Sequence, residues 1–253
     1  MREPLPIWVT EAMQRLEQQG EEAWLVGGCV RDRLLGRPVH DYDLAVSCPP
    51  DRTAELFRDH RLGEDGRKHG TIGVVTEGGV LEMPTFRADG AYQDHRHPES
   101  VRFVPSLRED LARRDFTVNA MALSRQGDLQ DPFDGQRDLA NRLLRCVGDP
   151  HRRFREDALR ILRCARFASE LGFRVEEETF RAGQALAGET AAVSRERITA
   201  EWEKYLSGSC FSGTLTQLSL WEGVFPGIVQ LSGAGKLALG RAVSPESRAL
   251  LLA

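Results

Sequence analysis

Residues 25–46 read LVGGCVRDRLLGRPVHDYDLAV, and the order of events within them decides the fold. A short apolar run behind Trp24 ends in Gly27 and Gly28, which reads as a buried strand breaking into a tight turn. CVRDRLLG at 29–36 then reads as a helix stopped by Gly36, and DYDLAV at 41–46 as a second strand. Two glycines let a phosphate approach the backbone, and the helix behind them turns its amide end towards that anion. Arg31 can then meet a phosphate oxygen directly. Asp41 and Asp43 flank Tyr42, so a period of two puts both carboxylates on one face, roughly 6–7 Å apart along a strand. Two such acids repel unless a cation sits between them, and magnesium takes this ligand set together with substrate phosphates. Alone, DxD also reads as two exposed loop aspartates, and GG as a structural turn. GG-x-VRD followed nine residues later by DxD is more restrictive. Together they describe a triphosphate held against metal-bearing aspartates, a site suited to in-line attack of a hydroxyl on the α-phosphorus.

The flanking sequence extends the same layer. Residues 1–20 read as an amphipathic helix carrying Ile7, Met13 and Leu16, and CPPDRTAELF at 48–57 as a proline-led helix. TIGVVTEGGVLEMPTF at 71–86 reads as two strands joined by a Glu-Gly-Gly turn, and Glu82 on the second can point at the aspartate pair. Residues 87–100, RADGAYQDHRHPES, lack periodicity and read as a loop. Beyond residue 105 the pattern is mostly helical, with a last β-like piece around DLQDPFDG and LLRCVG. From Phe154 onward only helices are predicted, at 155–171, 176–187, 195–206 and 213–222. The fold class is α+β: an α/β part with a mixed sheet over residues 1–150, then a helical part over 151–253.

Composition narrows the setting. The 253 residues are 41% apolar and 28% charged, the balance of an ordinary globular protein. The net charge of −4 means that any phosphate binding must come from local arginine clusters. Cys29, Cys48, Cys146, Cys164 and Cys210 are scattered and odd in number, which reads as reduced thiols. His95 and His97 have no thiol or carboxylate set at metal spacing nearby, so no zinc site is expected. MREPLPIWVTEAMQRL has no signal-peptide core, and no apolar run approaches the roughly 18 residues of a membrane span. A cytoplasmic protein without a membrane partner is expected.

Three ordered motifs carry a resemblance. LVGGCVRDRLLG with HDYDLAV resembles the head motif of the class II tRNA nucleotidyltransferase and poly(A) polymerase family. EDLARRDFTVNAMAL at 109–123 resembles its second motif, and RFREDALRILRCARFASELGF at 153–173 its nucleotide-selecting motif. The similarity runs from about residue 22 to about residue 206. It implies a nucleotidyltransferase head with a mixed sheet, then an all-helical neck and the start of a helical body. It also implies magnesium as cofactor, ATP and CTP as substrates, and the 3′ acceptor end of tRNA as partner. In the second motif it implies that Asp115 contacts the ribose 2′-hydroxyl and that Arg114 lies near the nucleotide phosphates. Asp32, Asn119 and Arg163, within the matching motifs, are implied to be nucleotide-binding. Residues 87–100 resemble a segment thought to help reshape the pocket from C to A in CCA-adding members, which argues against addition of the two cytidines only. Family members continue through further helical domains that grip the tRNA body, so a complete nucleotide site with only part of that grip is expected.

The third motif also has a reading of its own. Glu156, Asp157, Arg160 and Arg163 fall on the predicted helix 155–171, where positions three apart are neighbours. Asp157 and Arg160 then stand side by side, an acceptor next to a donor fork. Cytosine and adenine both offer an exocyclic amine beside an unprotonated ring nitrogen, and such a pair selects them without a template. Uracil and guanine present the reverse pattern and leave polar groups unpaired. An ordinary helix salt bridge is the plainer alternative. An enzyme that adds only A, and a poly(A) polymerase, share these motifs. A nucleotidyltransferase acting on small molecules or proteins explains DxD but not EDALR. A non-catalytic RNA-binding module has no need of intact Asp41, Asp43, Arg114 and Asp157. Nothing in the sequence fixes the oligomeric state.

Overall fold

In the computed structural model, which describes residues 4–89 and 101–230, the first helix, α1 (Ile7–Gln18), buries Val9, Ala12, Met13 and Leu16 at three- and four-residue spacing. Strand β1 (Ala23–Val26) ends at Gly27, and α2 (Gly28–Leu35) follows at once. Gly36 closes α2 in the left-handed conformation at φ 67°, and the Arg37 N–H returns to the Asp32 carbonyl at 2.8 Å. Strand β2 (Leu44–Val46) runs antiparallel to β1, with Leu44 opposite Leu25. Helix α3 (Pro50–Leu56) has the expected proline at its first turn.

Three strands form a meander: β3 (Leu62–Gly63), β4 (Thr71–Thr76) and β5 (Gly79–Pro84). Thr76 pairs with Gly79, so the turn consists of Glu77 and Gly78 alone. Next come β6 (Arg87–Asp89) and β7 (Val101–Phe103), which pair antiparallel. Residues 87–89 are therefore strand rather than loop, while the rest of the expected loop, 90–100, lies outside the described residues. Helix α4 (Leu107–Ala112) leads to β8 (Ala122–Leu123) and β9 (Leu129–Gln130). Strand β8 falls in a stretch whose pattern reads as helical. Its two residues pair with Val26 and Leu25, and that contact overrides the local helical character.

Besides the β6–β7 pair, two larger sheets form here, ordered β2-β1-β8-β9 and β3-β4-β5. They meet through parallel bridges, Asp43 to Glu82 and Val46 to Thr85, so antiparallel and parallel pairing coexist as expected of a mixed sheet. Val26, Ala45, Phe86, Val104, Leu111 and Ala122 make a buried core cluster in this part of the chain. The described residues divide into two compact units, one up to Leu139 and one from Ala140, inside α5 (Gly135–Ala140). The sequence pattern places its boundary near residue 150, about ten residues later.

The second unit begins with β10 (Leu143–Leu144), α6 (Pro150–Glu156) and α7 (Leu159–Leu171). Strand β11 (Arg174–Val175) pairs parallel with β10, so this region is not purely helical. Helices α8 (Glu177–Ala185) and α9 (Arg195–Ser207) match the expected positions, whereas 215–221 is a 3-10 helix. The predicted helix 155–171 is two helices. Asp157 breaks it with an extended backbone, φ −147° and ψ 105°, and its Oδ1 accepts the Leu159 N–H at 3.1 Å. An aspartate that caps a new helix competes with continuing the old one. In the core, Tyr205, Phe211 and Trp221 are fully buried, with Tyr205 and Phe211 ring centroids 5.1 Å apart.

Candidate active site

Gly27 has φ 75° and ψ −136°, a conformation that L side chains rarely adopt. A Cβ there would also lie 3.1 Å from Nη1 of Arg114. The absent side chain thus lets an arginine of the second motif rest against the glycine turn of the first. Gly28 opens α2, with a Cβ there 3.5 Å from Nη2 of Arg31. Two guanidinium groups therefore flank the turn, Arg114 against Gly27 and Arg31 beside Gly28.

Arg114 is itself held from behind. Its Nη2 reaches Oδ2 of Asp110 at 3.2 Å, and Arg113 meets Oδ1 at 2.9–3.0 Å. The Arg87 N–H points at the same Oδ1, 3.3 Å away. Asp110 is 1% exposed. Burial pushes its carboxyl up, but Arg113, Arg114 and the Arg87 N–H together hold it below the usual carboxylate range. Sequence reading passed over Asp110. Its signal was the spacing, three and four residues ahead of Arg113 and Arg114 on one helical turn.

The three acids occupy one neighbourhood. Asp43 is tied to β1 by the Val26 N–H on its carbonyl at 3.1 Å, and bridges to Glu82 on β5. Asp41 and Tyr42 precede the strand, which is shorter than predicted; Tyr42 is buried against Trp8, Asp41 is exposed and Asp43 is half-buried. Burial pushes the Asp43 carboxyl up, Arg114 opposes that, and the Asp41 charge adds to it. Glu82 is likewise raised, by burial and then by Asp43. A Cβ at Gly73, opposite Glu82, would come within 3.2 Å of Glu82 Oε1. Among the described residues no three His, Cys, Asp or Glu side chains are grouped closely enough to cage a metal alone. A magnesium ion is held through one or two carboxylates plus substrate phosphates, so two repelling aspartates with Glu82 beside them fit that share.

Four more expected residues form one chain of contacts. Arg31 donates to both oxygens of Asp32, at 2.9 and 2.8 Å, and through Nη1 to Asn119 Oδ1 at 2.8 Å. Asn119 donates to Asp115 Oδ1 at 3.2 Å, which also accepts the Phe116 N–H at 2.8 Å. Arg31 was expected to face a phosphate directly. It is 8% exposed instead, and stitches the first motif to the second.

In the second unit, Arg160 donates through Nη1 to Glu156 Oε2 at 2.9 Å and to the Arg153 carbonyl at 3.0 Å. Asp157 Oδ2 accepts Nη2 of Arg197 at 2.8 Å. The expectation of Asp157 and Arg160 on one continuous helix face is corrected, because Asp157 lies in the break and Arg160 in the first turn of α7. Arg163 lies 5.2 Å from the Phe167 ring centre and 3.9 Å from Glu201. Arg166 makes the shorter contact to Glu201, 2.6 Å, and both are buried. Arg197 was not foreseen, since no local pattern reports an ion pair across 40 residues.

Residues 23–145 match the family described as "Poly A polymerase head domain", and residues 172–231 "Probable RNA and SrmB- binding site of polymerase A". The chain is 51% identical over 196 residues to the CCA-adding enzyme of Geobacillus thermodenitrificans, covering 78% of this chain and 48% of that one. It is 46% identical over 196 residues to that of Lactiplantibacillus plantarum, with the same coverage. The crystal structure of the Bacillus stearothermophilus CCA-adding enzyme in complex with CTP superimposes with a TM-score of 0.80 at 38% identity, over 92% of this chain and 60% of that one. The Thermotoga maritima CCA-adding enzyme complexed with tRNA gives 0.68 at 28% identity, over 85% and 50%. The chain spans about half the length of the curated relatives it matches.

Proposed function

Because the chain belongs to the poly(A) polymerase and CCA-adding nucleotidyltransferase family, we propose that it adds C and A to the 3′ end of tRNA from CTP and ATP, without a nucleic-acid template. The observation that carries this reading is the convergence of Asp43, Glu82, Arg114 and the Gly27 turn, from four separate stretches of sequence, in one unit. Residues 1–150 are taken as the catalytic head, and 151–253 as the nucleotide-selecting neck with the start of a body.

In this reading the Gly27–Gly28 turn and Arg114 bind the triphosphate, and Arg31 with Asp32 and Asn119 fixes the turn against the second motif. Asp115 orients the ribose through its 2′-hydroxyl. Asp41 and Asp43 hold magnesium with Glu82 at their side. When bound, the metal polarises the attacking 3′-oxygen and neutralises the departing pyrophosphate. Asp157 and Arg160 read the base edge, with Arg163 nearby. In-line transfer needs no covalent enzyme intermediate, and base selection needs no template strand. The protein is read as cytoplasmic, with tRNA as partner. No helix among the described residues is long and apolar enough to cross a membrane.

Substitution of either aspartate tests the proposal. Asp41→Ala or Asp43→Ala should abolish magnesium-dependent incorporation of CMP and AMP into a tRNA transcript, while the unfolding midpoint and tRNA retention on a filter persist. Full activity in both variants would remove the metal pair from the reaction.

A further inference from the structure

The Asp157 carboxylate is held by two groups of different kinds. Oδ1 takes the Leu159 N–H, a contact that caps α7. Oδ2 takes Nη2 of Arg197 at 2.8 Å, and Arg197 stands in the first turn of α9. The two side chains are 17% and 26% exposed, so water competes only in part. The other terminal amino group of Arg197, Nη1, is shut off from solvent and has no hydrogen-bond partner among the described residues.

An arginine kept only to pin two helices together is expected to close its planar fork on the carboxylate, using both amino groups. A single-ended pair that leaves a buried donor unmet is a poor device for stability, because the desolvation of that donor goes uncompensated. What the contact does achieve is geometric. It fixes one carboxylate oxygen and so sets the direction of the lone pairs that remain.

We propose that Arg197 is a specificity-determining positioning residue, orienting Asp157 to accept from the exocyclic amine of cytosine or adenine. This rests on the reading of Asp157 as the base-selecting acceptor. Uracil and guanine bring a carbonyl oxygen to the same place, and a carboxylate fixed there repels it. A carboxylate able to swing aside tolerates that oxygen. Loss of Arg197 therefore relaxes the choice of base and leaves triphosphate binding, which belongs to other residues, in place.

The test uses the full chain with Arg197→Met and Arg197→Lys. Binding of CTP, ATP, UTP and GTP is measured by calorimetry without RNA, and CTP and UTP compete for a tRNA transcript lacking CCA. R197M should lower the CTP-over-UTP preference by about tenfold or more, through KM rather than kcat. R197K, which keeps a charged donor, should restore most of it. Should R197M fail to fold, R197Q, of similar reach, is judged by the same ratio. An unchanged preference in the substituted proteins, with only a lower unfolding midpoint, makes the pair structural and overturns the proposal. If the unsubstituted protein selects CTP and ATP in binding but extends no tRNA, the tRNA reading fails and Arg197 is judged on binding alone. If it selects in neither assay, both fall.

Discussion

Gly27 shows how much a single residue contributes to this site. Its backbone sits at φ 75°, and the space a side chain would fill lies 3.1 Å from the Arg114 guanidinium. Gly27→Ala should therefore cost about 1–3 kcal/mol from the backbone conformation. It should also displace Arg114, so the KM for CTP should rise more than stability alone explains. Urea unfolding and steady-state incorporation separate the two effects, and an unaltered KM would show that the turn needs glycine only for its fold. Gly27 was legible in sequence because a turn at positive φ has few alternatives to glycine. Asp110 was not, since a buried carboxylate reads no differently from a solvated one until its neighbours are known. The same limit hid the role of Arg31, whose fork faces Asp32 and Asn119.

Among the elements, periodicity and stop signals did most of the work. The α1 stripe, the Gly36 stop of α2, the proline entry of α3 and the β4–β5 hairpin all follow from local chemistry. What local chemistry does not encode is which strand lies beside which. Only the bridge between Asp43 and Glu82 brings the third acid to the pair, and only pairing with Val26 makes residues 122–123 a strand. The split of the helix at 157–158 has a different origin: Asp157 can either continue α6 or cap α7, and it caps. Asp157→Ala should accordingly destabilise by more than the ~1 kcal/mol of a cap, because it also strands the Arg197 guanidinium paired with it. It should relax selection among the four nucleotides by a larger factor than that loss implies. Competition assays at a temperature well below the unfolding midpoint check this, and retained selectivity would limit Asp157 to capping.

Across the whole molecule, ionisation ties the site to stability. Asp110 is held below its usual value of 3.8 by Arg113, Arg114 and the Arg87 N–H despite its burial. A carboxyl whose pKa is lowered on folding contributes stability above the unfolded value and loses it as pH falls through the folded one. Stability should hold from neutral pH down to about 4 and then decline. Asp110→Asn should be less stable near pH 7 by about 3–5 kcal/mol, the cost of breaking a buried pair, and less sensitive to acid. The two unfolding curves should converge as pH drops, whereas parallel curves would take Asp110 out of the acid response. What remains to be measured is nucleotide addition at a tRNA end by a chain that spans about half the length of the curated relatives it matches. Three tRNA transcripts, ending before CCA, after the first C and after CC, are incubated with magnesium and each nucleotide separately. The expected result is C on the first two, A on the third, and no U or G on any. Addition of A alone to the CC-ended transcript would make this an A-adding enzyme, and incorporation of all four nucleotides alike would contradict selection by the protein.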